Sequence, residues 1–232
     1  MIKDPPVLTV RRNFPRPTAD QVAALGGVPT GYLVDAMGGR GALLPPIGPA
    51  DLSSPLPTRF CGPALTSNCG PADVLALMAS LSFIRPGDVL VAAADGFTAT
   101  AVTGDLVLGA AKNAGAVGFV TDGCIRDLEG CIAVGLPVHC AGVTPNSPAK
   151  VGPGSVGLPI TLGGQTVQPG DVIAADRDGV VVVPLAKIEA VIAALADVRA
   201  AEAELDAKVK GGLRQFAAME GLLKSDRVEY LD

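Results

Sequence analysis

Three residues of this sequence have types and a spacing that could support chemistry: Asp105, Arg126 and Asp127. Carboxylates are hard oxygen ligands, and they suit Mg²⁺ or Mn²⁺ ions that keep several of their waters. An arginine presents a planar, permanently charged fork that binds a carboxylate or an oxyanion. Together these groups predict a site for a 2-oxo acid, where the metal and Arg126 stabilise the enolate that forms when a carbon–carbon bond breaks beside the carbonyl.

The same residues also have a simpler interpretation that involves no ligand. Arg126 and Asp127 stand in the stretch DGCIRDLEG, and an Arg-Asp pair between glycines is common in solvated turns. Asp105 follows Gly104 at the start of a predicted helix, where a carboxylate complements the helix dipole. The residue types therefore leave both a catalytic site and a charged surface turn open.

The neighbouring elements predict that Asp105 lies close to Arg126 and Asp127. Gly104 precedes a predicted helix of about ten residues, which spans roughly 15 Å. The apolar stretch AVGFVT then predicts a strand that returns roughly 17–20 Å in the opposite direction. Arg126 and Asp127 are expected just past the carboxyl end of this strand, where open α/β folds bind ligands. Free amide groups at the helix start predict an anion site, formed by Gly104, Asp105, Leu106 and Val107.

The remaining patterns predict one α/β domain over residues 1–232, with mixed strands and helices at both ends. The segment TADQVAALGGVPTGYLVDAMGG predicts two short N-terminal helices, with Thr18 as the first N-cap. RFCGPALTSNC predicts a strand, and PADVLALMASLSFI predicts a helix with Asp73 in its first turn. The tail predicts a long amphipathic helix that ends at Gly211–Gly212 and a shorter helix after it.

Two short phrases of the sequence resemble each other. PGDVLV begins at Pro86, and PGDVIA begins at Pro169. Each predicts a turn that leads into an apolar strand. Because the flanking segments differ, the phrases indicate two equivalent strand entries in one sheet system and not a full internal repeat.

Composition and charge exclude several classes of protein. The 232 residues are 49% hydrophobic, which is enough for a large core. The net charge of −5 argues against nucleic acid as a general partner. The longest apolar stretch, VLALMASLSFI, is about half as long as the roughly 20 residues of a membrane helix. Because the N-terminal stretch MIKDPPVLTVRRNFPRP lacks the apolar region of a signal peptide, we expect a cytoplasmic protein with no membrane partner.

Cysteine and histidine usage limits the kinds of metal site that are possible. The five cysteines are an odd number and show no CxxC spacing, which argues against a disulfide framework and against a zinc site. The single histidine, His139, lies in LPVHC and is expected in the core or at the edge of a strand. A metal site in this protein therefore has to use oxygen ligands.

The stretch GDLVLGAAKNAGAVGFVTDGCIRD closely resembles the signature of the RraA-like family, in which an Asp is followed by twenty residues and then by Arg-Asp. Here the signature falls on Asp105 and on Arg126–Asp127, with no gap. Shorter elements extend the resemblance over most of the chain, namely LVDAMGGRGAL, RFCGPALT, PGDVLVAAADG and PGDVIAADRDGVVVVP. The family includes the 4-hydroxy-4-methyl-2-oxoglutarate/4-carboxy-4-hydroxy-2-oxoadipate aldolases, which serve the breakdown of aromatic compounds.

The resemblance implies a class II, divalent-metal-dependent aldolase. Such a lyase cleaves a 4-hydroxy-2-oxo dicarboxylic acid to pyruvate and a second oxo acid, and oxaloacetate decarboxylation is an expected side activity. Asp127 would coordinate Mg²⁺ or Mn²⁺ directly, and Arg126 would hold the 2-oxo group and stabilise the enolate. Asp105 would contact the metal through water and help to activate a water for proton transfer. The substrate carboxylate would bind the amides of Gly104, Asp105, Leu106 and Val107.

The resemblance also implies a swivelling β/β/α-type sandwich that assembles into trimers, often paired into hexamers. The implied partners are the small 2-oxo acid substrate and further copies of the chain. In these aldolases an acidic residue from a neighbouring subunit's late helix approaches the waters of the metal. Glu202 is the best match and Glu204 the second, although each is equally expected on a solvated helix face.

The sequence departs from the family at one point and leaves one alternative function. Many relatives carry an Asp-Asn pair where this chain has Asp73-Val74, so the region that receives the distal end of the substrate is expected to differ. The regulator of ribonuclease E activity shares the fold but lacks the full acidic-Arg-Asp set. A non-catalytic trimeric regulator that binds ribonuclease E is therefore the alternative, and the complete set in this chain favours the enzyme.

Four further polar residues have ordinary structural interpretations. Asp35 stands on a helix that the family places near the site, and a cap role elsewhere remains open. Asp176 and Asp178, in AADRDGVV, are typical of a hairpin turn. Lys112 lies in the middle of a helix among small residues, which predicts a solvated lysine and not a Schiff-base amine.

Overall fold

The structure is a computed structural model that describes residues 6–231. The first five residues of the N-terminal stretch, on which the prediction of a cytoplasmic protein rests, lie outside this range, as does Asp232. Helices and strands alternate through most of the described chain. The helices are α1 (Ala19–Leu25), α2 (Thr30–Ala36), α3 (Leu75–Ser80), α4 (Asp105–Asn113), α5 (Leu128–Val134), α6 (Ile188–Lys210) and α7 (Ala217–Leu223). The strands are β1 (Leu8–Val10), β2 (Gly48–Pro49), β3 (Phe60–Asn68), β4 (Val89–Ala93), β5 (Ala101–Thr103), β6 (Gly118–Thr121), β7 (Cys124–Ile125), β8 (Val138–Cys140), β9 (Gly142–Val143), β10 (Gly154–Val156), β11 (Ile160–Leu162), β12 (Gln165–Val167), β13 (Val172–Ala175) and β14 (Val180–Val183).

The main sheet is organised around β3, the longest strand. Residues 60–63 of β3 pair antiparallel with β13, and residues 64–68 pair in parallel with β4. The parallel strands β6 and β8 continue the sheet beyond β4, and β10 and β1 extend it on the other side of β3. Every residue of β4, β6, β13 and β14 is buried, as is usual for strands covered on both faces. This mixed sheet with flanking helices confirms the predicted α/β class.

The two PGD phrases enter the same sheet. Pro86–Asp88 leads into β4 and Pro169–Asp171 leads into β13, and both strands pair with β3. Asp88 accepts a hydrogen bond from the Arg85 amide and forms a buried ion pair with Arg16. Asp171 accepts from the amides of Gln168 and Leu185. Each aspartate closes its own turn, which explains the shared phrase and confirms two equivalent strand entries.

A second, three-stranded parallel sheet consists of β5, β7 and β9. The sequence predicted that the strand AVGFVT leads directly to Arg126 and Asp127. That prediction was wrong in one respect, because β6 ends at Thr121 and the short strand β7 intervenes. β7 leaves the main sheet and pairs with β5. Arg126 therefore follows β7, whose carboxyl end adjoins that of β5.

The N-terminal half confirms the predicted helices, with one correction. Thr18 caps α1 in a capping box with Gln21. The third helix begins at Leu75 and continues as a 3₁₀ turn over Leu81–Phe83, so Asp73 precedes the helix instead of standing in its first turn. The Asp73 carboxylate accepts a hydrogen bond from the Leu75 amide at 2.7 Å, which replaces one helical bond that the sequence pattern assumed.

Both predicted C-terminal helices are present and α6 ends directly before Gly211 as predicted, but only the start of α6 is covered. Ile188, Val191 and Leu195 are the buried residues of α6. From residue 199 to residue 231, no described residue is buried. We call this segment the C-terminal arm. No helix in the described part of the chain is both long enough and apolar enough to cross a membrane.

The turn between β13 and β14 is the predicted hairpin, and it is tied to the core. Asp176 accepts hydrogen bonds from the amide and the hydroxyl of Thr30, at 2.9 and 2.7 Å. Its backbone carbonyl lies 2.8 Å from Nε2 of His139, which is fully buried in β8. The five cysteines are free thiols, as predicted. Lys112 is exposed, also as predicted.

Candidate functional site

The pairing of β5 with β7 brings the predicted site residues together. Both strands run in the same direction, so the residues that follow them lie side by side. The amide of Arg126 donates to the carbonyl of Thr103 at 3.0 Å, which extends the ladder by one residue. Gly104 and Asp105 follow β5, and Arg126 and Asp127 follow β7. We call Gly104–Val107 together with Arg126–Asp127 the site corner.

Arg126 and Asp127 form an ion pair directly over Gly104. Nε of Arg126 lies 3.1 Å from Oδ2 of Asp127, and both side chains are partly exposed. A Cβ atom built on Gly104 would lie 2.6 Å from that same Oδ2 and 3.0 Å from Cγ of Arg126. Only a glycine therefore allows the pair to lie so close to the start of α4. Asp127 itself has φ +55°, a left-handed conformation that is costly for a residue other than glycine and is found at functional sites.

Asp105 occupies the other side of the corner, against α5. A Cβ atom built on Gly130 would lie 2.4 Å from Oδ2 of Asp105, so Gly130 leaves space for this carboxylate. The other oxygen, Oδ1, accepts a hydrogen bond from the Leu106 amide at 2.7 Å. The predicted row of free amides therefore has one member that is already occupied by the aspartate beside it.

These groups line one cavity of about 310 Å³. The structure brings six predicted residues to this cavity, namely Gly104, Asp105, Leu106, Val107, Arg126 and Asp127. Glu202, which was predicted to act from a neighbouring subunit, stands in the C-terminal arm and does not line the cavity of its own chain. Asp35 lines a different cavity, beside Asp178.

Several residues of the cavity were not predicted from the sequence. Ser147, Pro148 and Lys150 come from the loop after β9, while Val74 and Met78 come from the start of α3. Met78 is 38% exposed and lines the cavity, while Ala76, Leu77 and Ser80 are the buried residues of α3. A single sequence gave no signal for the loop residues, because their contacts with the corner span 20 residues or more.

The donor set of the corner fits a hydrated divalent cation. Asp105 and Asp127 supply carboxylate oxygens, and Mg²⁺ is held by one or two carboxylates while it keeps several waters. Among residues 6–231 of the single chain, no group of three His, Cys, Asp or Glu side chains is placed to hold a metal ion. The corner therefore suits an ion that retains much of its water shell, and it does not resemble a closed cage of protein ligands.

A thiol lies behind the corner but does not suit nucleophilic chemistry. Sγ of Cys131 donates to the backbone carbonyl of Arg126. Burial, together with the negative charges of Asp105 and Asp127, raises the pKa of Cys131 to about 11. The thiol therefore stays protonated near neutral pH and cannot act as a thiolate.

Comparisons with known proteins identify the family of this chain. Residues 30–182 match the sequence profile of the RraA-like family, described as Aldolase/RraA. A protein of Halalkalibacterium halodurans named "Putative 4-hydroxy-4-methyl-2-oxoglutarate aldolase" is 37% identical over 173 residues, which cover 75% of this chain and 80% of that protein.

Solved structures show the same fold. An uncharacterized protein from Pseudomonas syringae pv. tomato superposes with a TM-score of 0.75 and 25% identity, covering 87% of this chain and 93% of its own. Streptomyces coelicolor RraAS2, described as an unusual member of the RNase ES inhibitor RraA protein family, gives 0.72 and 31%, covering 83% and 100%. With the profile match spanning more than half of its length, this chain belongs to the RraA-like family.

Proposed function

We propose that this protein is a divalent-metal-dependent aldolase that cleaves a 4-hydroxy-2-oxo dicarboxylic acid to pyruvate and a second oxo acid. The observation that carries the proposal is the single cavity lined by the start of α4, Arg126 and two carboxylates. An anion site, a planar cation and oxygen ligands at one point match the needs of a 2-oxo acid. The same site would decarboxylate oxaloacetate, because that reaction passes through the same enolate.

The first turn of α4 binds the carboxylate of the substrate. Backbone amides at a helix start and the helix dipole both favour an anion there. Because the Leu106 amide is engaged by Asp105, the incoming carboxylate takes the place of Oδ1 on that amide. The Asp105 side chain is thereby released toward the water in the cavity.

Arg126 stabilises the oxygen on which negative charge develops. Its Nε is paired with Asp127 and its Nη1 donates to Ser147, so Nη2 is the nitrogen left to donate to the 2-oxo group. In the cleavage step the C4 hydroxyl loses its proton, the C3–C4 bond breaks, and its electrons pass to the enolate oxygen. Asp105 accepts the proton through a water, and C3 is then protonated to give pyruvate. A bound divalent cation supplies further stabilisation of the enolate charge.

Lys150 favours a substrate with a second carboxylate. It lies at the rim of the same cavity, and its ammonium makes no ion pair with any residue that the structure describes. Val74 and Met78 provide an apolar wall beside it. A short aliphatic acid whose distal carboxylate reaches Lys150 would use all of these groups, which is the shape of a 4-hydroxy-2-oxo dicarboxylate.

A second copy of the chain completes the site in this proposal. The C-terminal arm extends from the body without burying a residue, and its apolar side chains include Leu205, Val209 and Phe216. Glu204 is paired with Lys208, whereas Glu202 is half-buried and makes no ion pair among the described residues. Glu202 of a neighbouring copy is therefore the third carboxylate that we assign to the waters around the cation, with Glu204 as the second choice.

The proposal is tested by pyruvate release from 4-hydroxy-4-methyl-2-oxoglutarate and from oxaloacetate. We expect release with Mg²⁺ or Mn²⁺ and its loss with a chelator. Arg126→Ala should lower kcat/KM by roughly 100-fold or more, and Arg126→Lys should restore little because the fork is lost. Arg12→Ala, which removes an exposed arginine elsewhere, is the control. Metal-independent release, or full activity of Arg126→Ala, would exclude this mechanism.

The alternative function is a non-catalytic regulator that binds ribonuclease E. The likeness to Streptomyces coelicolor RraAS2 supports it. It predicts inhibition of ribonuclease E by the purified protein and no pyruvate release from either acid. If Arg126→Ala still inhibits ribonuclease E, the regulatory function does not depend on the proposed aldolase site.

A further inference from the structure

We propose that Ser147 is a positioning residue that fixes the guanidinium of Arg126, and that Asp73 anchors the loop that carries it. The inference deepens the proposed function and rests on the role of Arg126 in it. We call residues 144–153, the segment between β9 and β10, the site loop. Neither the family signature nor the predicted metal set includes Ser147 or assigns a role to Asp73.

Two protein contacts hold the guanidinium from opposite ends. Nη1 of Arg126 donates to Oγ of Ser147 at 2.7 Å, and Nε pairs with Oδ2 of Asp127 at 3.1 Å. Because the guanidinium is planar, two contacts at different nitrogens define its orientation. Nη2 makes no hydrogen bond with any described residue, so this nitrogen is free for a ligand in the cavity. Removal of the Ser147 hydroxyl would leave the group free to rotate about the Asp127 contact.

The first half of the site loop is bound to the strands of the corner. The Thr144 amide donates to the carbonyl of Ile125, the residue before Arg126. The Asn146 carbonyl accepts from the Ala101 amide at 2.9 Å, and its side-chain amide donates to the carbonyl of Ala99 at 2.9 Å. Ser147 therefore follows directly after a residue that is fixed to β5 at one end of the cavity.

The second half of the site loop is bound to Asp73. Oδ2 of Asp73 accepts from the amides of Val151 and Gly152, at 2.7 and 3.0 Å. The backbones also pair, since the Val74 amide donates to the carbonyl of Ala149 and the Ala149 amide donates to the carbonyl of Ala72. Asp73 is 6% exposed. Loss of its charge would weaken the hydrogen bonds to these two loop amides and would loosen the loop that places Ser147.

The charge of Asp73 is maintained inside the protein. Burial by itself raises the pKa of a carboxyl group, but the amides of Val151, Leu75, Gly152 and Val74 outweigh it and lower the pKa of Asp73 below its usual 3.8. The carboxylate is therefore ionised throughout the neutral range. This buried, ionised carboxylate accepts hydrogen bonds from the start of α3 through Oδ1 and from the site loop through Oδ2, and the loop that it holds lines the cavity.

The test compares Ser147→Ala with Ser147→Thr, which keeps a hydroxyl. We expect Ser147→Ala to lower kcat/KM for pyruvate release roughly tenfold, mainly through kcat, and Ser147→Thr to recover most of it. The affinity for oxalate, a rigid analogue of the enolate, should fall by a similar factor in calorimetry. The midpoint of thermal unfolding should not change. Ser82→Ala, the same change at an exposed position, is the control.

Asp73→Asn provides an independent arm of the experiment. It should lower kcat/KM severalfold, and Ser147→Ala should add little in the Asp73→Asn background, because the two residues act on one group. Additive losses would overturn the link between Asp73 and Ser147. Unchanged kcat/KM and unchanged oxalate affinity in Ser147→Ala would overturn the positioning role.

The outcomes also separate this inference from the proposed function. Absence of pyruvate release by the unmodified protein refutes the aldolase function, and the positioning role is then judged on oxalate affinity alone. Oxalate binding that is equal with and without the Ser147 hydroxyl, or no oxalate binding at all, refutes the positioning role in that case.

Discussion

The site corner and the C-terminal arm are held in place in opposite ways. In the corner, two glycines allow carboxylates to approach the backbone more closely than any Cβ would permit, and the arginine is paired within the chain. In the arm, residues 199–231 bury no side chain, and the ion pairs are exposed contacts between residues four apart. The corner is thus fixed by contacts within one copy, while the arm has no such contacts to fix it.

The difference indicates where a substitution should matter and in what assay. A corner side chain cannot be enlarged without displacing a functional group, so its variants should lose activity while they remain folded. An arm side chain has open space around it, so its variants should fold and should change only what the arm contacts in other molecules. The predictions below test this division, beginning with the largest expected effect.

Gly104→Ala should give the largest loss. The backbone at Gly104 is extended, with φ −148°, so alanine is conformationally allowed there. Its Cβ would nevertheless lie 2.6 Å from Oδ2 of Asp127, and the Arg126–Asp127 pair must move. A displacement of about 1 Å at reacting groups can cost roughly 100-fold, so we expect that fall in kcat/KM for pyruvate release. Circular dichroism should still show a folded protein; full activity would mean that the pair does not occupy its present place when substrate is bound.

Gly130→Ala should give the next largest loss, and Gly221→Ala in the arm is its matched control. At Gly130 the new Cβ would lie 2.4 Å from the Asp105 carboxylate, while at Gly221 it would meet nothing within 4 Å. Both glycines stand in helices, so alanine should raise helix propensity equally at both. We expect kcat/KM to fall roughly tenfold for Gly130→Ala and to stay unchanged for Gly221→Ala.

The division of the loss between kcat and KM would sharpen this prediction. If Asp105 accepts the proton, the fall for Gly130→Ala should lie mainly in kcat, whereas Gly221→Ala should change neither constant. Equal activities of the two variants would contradict the corner's dependence on close packing.

The sequence predicted part of the site corner. The spacing from Asp105 to Arg126 correctly predicted that they line one cavity, since a helix and a returning strand of matched length bring the chain back. The element that brings Arg126 beside Asp105 is β7, which pairs with β5. A strand of two residues is too short to show a periodicity in the sequence. Gly130 also gave no signal, because its importance lies in a contact with Asp105 that is 25 residues away.

The contacts of Asp73 with the site loop could not be predicted from the sequence for a different reason. Asp73 was predicted as a first-turn residue of a helix, where a carboxylate is favourable by itself. Its carboxylate instead accepts hydrogen bonds from amides 78 and 79 residues further along the chain, and nothing in the residue types of Val151 and Gly152 marks them as its donors. Helices such as α6 were predictable because their hydrogen bonds and side-chain periodicity are local in the sequence. The molecule that the arm contacts cannot be predicted from such local spacing.

Truncation of the chain after Gly211 should lower activity moderately and should hardly change the folding of the protomer. Residues 212–231 are not buried, so their removal should cost the protomer little stability. We expect the midpoint of thermal unfolding of the monomer to shift by only a few degrees. If the arm binds a second copy, association measured by sedimentation should weaken, and activity should become several times lower at low protein concentration.

The control for this truncation is Leu205→Asp in the full-length chain, which keeps the arm but introduces a charge on its apolar side. Both changes should weaken association to a similar extent. A large fall in the unfolding midpoint of the truncated monomer would show that the arm supports its own body, contrary to the comparison.

The smallest expected effect is a dependence of the free energy of unfolding on pH. It should come from a residue outside the C-terminal arm and should not depend on the arm. His139 is the single histidine, and it is fully buried with Nε2 against the carbonyl of Asp176 and no partner for Nδ1 among the described residues. Burial lowers the pKa of His139 below its usual 6.5, and the carbonyl and charge of Asp176 offset this only in part. Below pH 6.5 the unfolded chain therefore binds a proton that the folded chain does not.

The free energy of unfolding should consequently decrease as the pH falls below 6.5, by an amount set by how far burial lowers the pKa of His139, until the folded pKa is reached. Denaturant unfolding at several pH values measures this slope in the original chain, in His139→Gln and in the chain that ends at Gly211. Glutamine cannot titrate, so its slope should be smaller by that amount, while the truncated chain should keep the slope of the original because its buried histidine is untouched. An identical slope in His139→Gln would assign the acid sensitivity to other groups, and a smaller slope in the truncated chain would show that the arm takes part in the cooperative unfolding of the body.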